Sequence, residues 1–170
     1  MDLSLDDAGF VRAPVELVYR RLVDLAGYAA WWPGLRVMRA APAGATWDAE
    51  AEGREHPLLG YPREPGASVL DVHVRCGWRG RALRLTLRPY RFRAGKGLLL
   101  DLTGDFAGTA EWWLEEGFGG TVVHHLARAD VAGRRHAAAA RRYRVAVRHG
   151  LWGLKDACQS QVRAAIGLAP

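Results

Sequence analysis

Cysteine is scarce in this chain of 170 residues: only Cys76 and Cys158 occur, far apart and in no CxxC pattern. That excludes a disulfide framework and fits reduced thiols. No uncharged apolar run approaches the roughly 18 residues that a membrane-spanning helix needs. Met1 is followed by Asp2, Asp6 and Asp7 rather than by a basic stretch and an apolar one, so a cytoplasmic protein is expected. Lysine is nearly missing too, with two against 22 arginines, a bias that goes with the abundant Ala and Gly of a GC-rich coding sequence. No GxSxG, P-loop or GxGxxG context occurs. His56, His73, His124, His125, His136 and His149 give no zinc-ligand spacing with either cysteine, so neither metal nor cofactor is expected. Glu115 and Glu116 lie at a hairpin turn, and Asp71, Asp101, Asp105 and Glu111 fall on the outward phase of strands. That disfavours the facing carboxylates of a glycosidase.

What is present is an ordinary globular composition, 49% hydrophobic and 25% charged, with seven tryptophans. This length suits one domain, residues 1–170, with a core of its own. The net charge of +6 is unevenly placed. Residues 134–170 carry eight of the 24 Lys and Arg but only one of the 18 Asp and Glu, so the rest of the chain is close to neutral. A basic segment of this kind is most simply the solvated flank of an amphipathic helix, and no nucleic-acid partner is expected.

The periodicity assigns the elements. An apolar opening through Leu3, Leu5, Phe10 and Val11 reads as a strand. Proline at Pro14 then starts a helix with Val15, Val18, Leu22 and Leu25 on one face, and Gly27 stops it. Tyr28 to Trp32 makes one more turn before Pro33-Gly34, and Leu35 to Ala40 reads as a strand. Residues 41–66 are rich in Pro, Gly, Ala and acids and are read as a variable loop or lid insertion. From Ser68 the period is two. Leu70, Val72, Val74 and Cys76, then Leu83, Leu85 and Leu87, then Leu98, Leu100 and Leu102 form inward rows. Ala110, Trp112 and Leu114, then Thr121, Val123, His125 and Ala127 form the last two, with turns at Gly95–Gly97, Gly104–Gly108 and Gly117–Gly120. A bulge after Pro89 leaves the direction of Tyr90 open.

Beyond Gly133 there is no proline before Pro170. Ala140, Tyr143, Val147, Leu151, Leu154, Cys158, Val162 and Ala165 line one stripe of a terminal helix of about 30 residues, flanked by Arg134, Arg141, Arg148 and Lys155 at intervals of seven. Gly150 and Gly153 mark a bend or a close approach.

This order, with Val11-Arg12-Ala13-Pro14, Val18-Tyr19-Arg20-Arg21-Leu22-Val23-Asp24, Tyr28-Ala29-Ala30-Trp31-Trp32-Pro33-Gly34, Gly104-Asp105-Phe106-Ala107-Gly108 before Trp112, and Gly150-Leu151-Trp152-Gly153-Leu154-Lys155, resembles the START-related (SRPBCC) superfamily. Within it the likeness is to the bacterial polyketide cyclase/dehydrase and lipid-transport family. Residues 41–66 depart from it by their length. The resemblance implies an α+β helix-grip fold: a curved antiparallel sheet wrapped around a long C-terminal helix, with two short helices after the first strand. It also implies a cavity between sheet and helix for a lipid, polyketide or similar hydrophobic molecule.

Candidate ligand-binding residues are then Trp32, Trp78, Leu87, Tyr90, Leu100, Trp112, His125, Val147, Leu151, Leu154 and Cys158. The competing reading is that Tyr90, Phe92, Trp78 and Trp112 fill the space themselves. Trp31 and Trp32 are read first as a packing wedge, Trp113 as outward-facing. Cys158, on an apolar stripe, lacks the electropositive exposure of a nucleophile. His125 is the candidate general acid or base, against the commoner role of a hydrogen-bonded core histidine. Three functions remain open: a binder of a hydrophobic small molecule; a cyclase, aromatase or dehydratase using the same cavity, with His125 or an inward tyrosine assisting proton transfer; and electrostatic docking of the Arg-rich helix on an anionic membrane, a nucleic acid or an acidic partner protein, with transient membrane contact the form kept and nucleic acid the one not expected.

Overall fold

The computed structural model describes residues 3–42, 68–75, 81–131 and 136–167. The elements run β1 (Leu3–Val11), α1 (Val15–Val23), a 3₁₀ turn (Leu25–Gly27), α2 (Tyr28–Trp31), β2 (Leu35–Pro42), β3 (Ser68–Val74), β4 (Leu83–Arg93), β5 (Gly97–Gly104), β6 (Phe106–Gly117), β7 (Gly120–Val131) and α3 (His136–Ala165). The seven strands form one antiparallel curved sheet in the order β1-β7-β6-β5-β4-β3-β2. The α1–α2 segment carries the chain from one edge to the other, and successive strands then walk back until β7 lies beside β1, with Leu3 opposite Ala129 and Val11 opposite Thr121. α3 packs across the inner face, against β1, β7 and β4.

Alternation within the strands sets the core. Leu83, Leu85 and Leu87, Leu98, Leu100 and Leu102, Ala110, Trp112 and Leu114, and Thr121, Val123, His125 and Ala127 are all buried on the inner face, in the expected phase. The register of β4 on β5 shifts between Pro89 and Arg91, which turns Tyr90 to the outer face. The turn expected over Gly104–Gly108 is shorter than that. Asp105 completes it alone, its carboxylate accepting Arg84 N–H at 2.8 Å and its own N–H donating to Arg84 O at 2.9 Å. Phe106 therefore opens β6 and is fully buried against Tyr143, with ring centroids 5.2 Å apart. Gly108 lies within β6, where a Cβ would collide with the backbone of Arg128 and Ala129 on the neighbouring strand.

The helical segment after β1 is held by its ends. Pro14 stands just before the first helical residue rather than at it, and its carbonyl accepts from Leu17 and Val18. The Asp24 carboxylate accepts the Gly27 N–H at 3.2 Å, and the Tyr28 hydroxyl donates to Leu22 O at 2.7 Å, fastening α2 back onto the end of α1. Of the two alternatives at Gly150 and Gly153, the close approach holds: α3 runs unbroken for 30 residues. A Cβ on Gly150 would stand 2.6 Å from Cε2 of Trp32, and one on Gly153 would fall on the carbonyl oxygen of Trp31. The glycines are the seat of the Trp31–Trp32 turn, whose two indoles stack at 5.7 Å and 24°. The buried stripe of α3 includes Ala140, Tyr143, Val147, Leu151, Leu154 and Cys158, gains Ala146, and stops at the partly buried Val162. Ala165 is exposed.

Replacing a glycine by alanine inside a helix ordinarily stabilises it by about 1 kcal/mol. For Gly153→Ala we expect the opposite sign, a loss of about 2 kcal/mol from overpacking against Trp31, read from urea unfolding of the two proteins. A gain in stability would mean that the turn does not sit on this glycine.

Candidate functional site

The space between sheet and α3 closes to about 10 Å³, about enough for a single water molecule. Its apolar wall comes from Leu35 on β2, Val72 and Val74 on β3, Leu85 and Leu87 on β4, and Leu100 on β5. Five rings that each carry a polar atom complete it: Tyr28, Trp32, Trp112, His125 and Tyr143. The open apolar cavity expected between sheet and helix is therefore not present among the described residues. The rings that fill it are Trp32, Tyr28 and Tyr143 beside Trp112, with Trp32 edge-on to Trp112 at 5.8 Å and 80°. Tyr90 takes no part, and Phe92 is buried without lining it.

His125 is 1% exposed and turned inward, as strand alternation places it. One ring nitrogen, Nε2, lies 3.0 Å from the Tyr143 hydroxyl across the interior from α3. The ring also rests on Trp112, with centroids 4.2 Å apart. Nδ1 is buried with no hydrogen-bond partner among the described residues. The Tyr143 hydroxyl has no other acceptor there, so we assign its proton to the bond with Nε2. That leaves the imidazole proton on Nδ1 as a donor without an acceptor. Trp112 Nε1 is likewise buried without a well-formed bond; it lies near the Tyr28 oxygen, whose own proton goes to Leu22 O.

Burial decides the protonation states. It pushes the His125 pKa down to about 3, so the ring is neutral near pH 7. Burial raises the hydroxyls of Tyr143 and Tyr28, the latter also through Tyr143 and Asp24, so both stay protonated. The Cys158 thiol is pushed up to about 11 by burial, partly opposed by Arg21, and is inert as a nucleophile.

Of the residues singled out from sequence, Trp32, Leu87, Leu100, Trp112 and His125 meet in this wall. Val147, Leu151, Leu154 and Cys158 are buried on the same face of α3 but pack as core without lining the space. Tyr90 stands on the other face of the sheet, half-buried in a groove of about 260 Å³ with Leu99, Thr109, Glu111, Leu126 and Arg128. Burial and the neighbouring Asp101 and Glu111 raise its hydroxyl's pKa. Cys76, Trp78, the insertion beyond Pro42 and Arg134 lie outside the described residues. Trp113 faces out, with the Arg93 guanidinium 5.3 Å from its ring centre and Arg93 paired to Glu111 at 2.6 Å. Sequence reasoning allowed for an inward tyrosine beside His125 but did not name Tyr28 or Tyr143 as polar members of the site. The available signal was a hydroxyl-bearing ring in an otherwise apolar helix stripe.

Because the folded protein keeps His125 neutral, the unfolded chain takes up a proton first as pH falls below the ordinary histidine value of 6.5. Stability from this residue is complete above that value and drains away as pH falls toward about 3. Between pH 7 and pH 5 we expect a loss of about 2 kcal/mol in urea unfolding, and a His125→Gln variant to be nearly flat over the same range. Parallel curves for the two proteins would remove the buried neutral imidazole from the account.

No protein-family model matches the sequence, and no curated protein matches it. Solved structures do. TTHA0849 from Thermus thermophilus superposes with a TM-score of 0.64 at 15% identity, covering 93% of this chain and 98% of that one. The Zhui aromatase/cyclase from a Streptomyces species gives 0.62 at 17% identity over 95% and 96% of the two chains. A START superfamily protein from Mycobacterium smegmatis gives 0.60 at 14% identity over 93% and 98%. The chain thus has the helix-grip fold of the START-related proteins, the fold its sequence motifs resemble.

Proposed function

We propose that the protein binds a hydrophobic small molecule, a lipid, polyketide or similar compound, between the sheet and α3, and that the closed interior is its empty state. The observation that carries this reading is His125. A buried donor left without an acceptor costs about 1–3 kcal/mol, and with the proton assignment above the unpartnered Nδ1 is such a donor, inside a wall that is otherwise largely apolar. A ligand with an apolar body and one acceptor oxygen, a ketone or ester carbonyl, would satisfy it. Sites of this kind combine apolar lining with few directed polar groups. Admission requires the aromatic cluster to part, and the short α2 turn, which carries Tyr28 and is followed by Trp32, is the smallest element of that wall.

A second reading, cyclase, aromatase or dehydratase chemistry in the same space, draws support from the His125–Tyr143 pair at 3.0 Å and from the fold shared with an aromatase/cyclase. With its pKa near 3 in the closed state His125 is a weak base, so this reading requires a polar substrate or water beside it to raise that value.

A long-chain methyl ketone and the alkane of equal length separate these ideas. Binding of the ketone about tenfold tighter than the alkane, by calorimetry or fluorescence quenching, is expected, with the preference lost in His125→Phe. Failure of both probes to bind, together with native mass spectra free of any retained molecule, would overturn the binding reading. Absence of product from poly-β-keto surrogates that do bind would remove the enzymatic one.

A further inference from the structure

Six large hydrophobic side chains stand exposed among the described residues, and three of them, Val145, Trp152 and Ile166, belong to α3 or the turn that ends it. Trp152 is 59% exposed and Ile166 66%. At about 100° per residue the three fall within about 60° of one another, on the face opposite the buried stripe. Single exposed apolar residues are ordinary on a protein surface; a line of them along one helix is not.

Cations flank the same line. Arg141, Arg148, Lys155 and Arg163 are exposed beside it, and Asp156 is the only acidic residue of the helix. Arg148 is turned back to Asp7 at 3.2 Å and Arg144 to Ser4 O at 3.3 Å, which ties α3 to β1. The side chains of Arg141, Lys155 and Arg163 make no hydrogen bond or ion pair with any described residue. His149 packs on the Trp152 ring at 5.7 Å. From Arg141 to Arg163 the face extends about 33 Å along the unbroken helix.

Apolar residues bracketed by cations with long aliphatic stems suit a charged interface with an oily layer beneath it. A nucleic acid would engage the cations but gain nothing from Val145 and Ile166. We propose that this face of α3 docks on an anionic lipid surface. Trp152 then sits at the headgroup boundary between Val145 and Ile166, while Arg141, Lys155 and Arg163 reach lipid phosphates. The inference stands independently of the interior pocket, since none of these residues lines it.

Flotation of the full chain with vesicles of phosphatidylcholine alone, and of phosphatidylcholine mixed with phosphatidylglycerol, tests it. Binding to the mixed vesicles only, weakening as salt is added, is expected. Trp152→Ser, and separately the pair Arg141→Glu with Lys155→Glu, should each reduce partitioning about tenfold or more while leaving the circular dichroism and thermal midpoint unchanged. Brominated acyl chains should quench part of the tryptophan emission of the parent and none of that part in Trp152→Phe. No binding to mixed vesicles, equal binding by Trp152→Ser and the parent, or capture of duplex DNA without any of vesicles, overturns the proposal. So does a concentration-dependent dimer, lost in Trp152→Ser, that never floats with lipid.

Discussion

The hydrogen bond from the Trp32 indole to the carbonyl of Ala146, 2.8 Å long, and the two glycines that let it form, hold together parts of the chain more than a hundred residues apart. A carbonyl inside a helix already accepts from the residue four positions on, here Gly150, and it is that residue's missing side chain that exposes it to the indole. Gly153 admits the backbone of Trp31 one turn later. Tyr28 meets Trp31 at 4.7 Å and Trp32 at 5.9 Å, so the α2 turn is an aromatic wedge fixed to α3 on one side and to the end of α1 on the other. Because the α1–α2 segment is also the crossing that places β2 at the far edge of the sheet, the wedge determines how closely helix and sheet approach.

That approach is what makes the interior chemically unusual. A sheet this concave, gripped onto a helix rich in small residues, would leave apolar volume, and the wedge supplies rings that occupy it. The rings carry hydroxyl and N–H groups, and in so small a space not all can be satisfied at once. Tyr28 finds Leu22 and Trp32 finds Ala146, whereas Trp31, Trp112 and His125 each keep a buried nitrogen without a partner among the described residues. The interior is therefore closely packed yet keeps buried nitrogens, His125 Nδ1 among them, without partners among the described residues.

Most of the architecture is legible from periodicity. Alternation fixed the inward rows of β4 to β7 and placed His125 on the inner face, since a slip of one residue would have exposed Leu98, Leu100 and Leu102 together. The glycines of α3 were readable as a close approach or a bend, and only the partner decides between the two. Other features were hidden for physical reasons. The Gly104–Gly108 cluster looks like a long turn because glycine is permissive in turns, yet Gly108 is there for strand proximity. Tyr143 and Tyr28 look like hydrophobic members of a stripe because a tyrosine's ring contributes to periodicity and its hydroxyl does not. The closed state of the interior depends on distances across the sheet, which no local pattern encodes.

The two faces of α3 follow different rules, and this separates what the fold requires from what it leaves free. On the inner face Ala140, Leu151 and Val162 are spaced by eleven residues, as are Tyr143 and Leu154, and Val147 and Cys158, a repeat of about 3.67 per turn that keeps a nearly straight helix in register with the sheet. On the outer face Val145 and Trp152 are spaced by seven, with Ile166 two further heptads along, and Arg141, Arg148 and Lys155 follow the same interval. A repeat of 3.5 drifts about 20° per heptad around a straight helix, so the outer line does not echo the inner packing. Core packing among the described residues therefore gives no reason for tryptophan at position 152 or valine at 145, where charged residues would serve a solvated face equally well. The anionic lipid surface proposed above supplies such a reason, and its charge is complementary to the cations alongside.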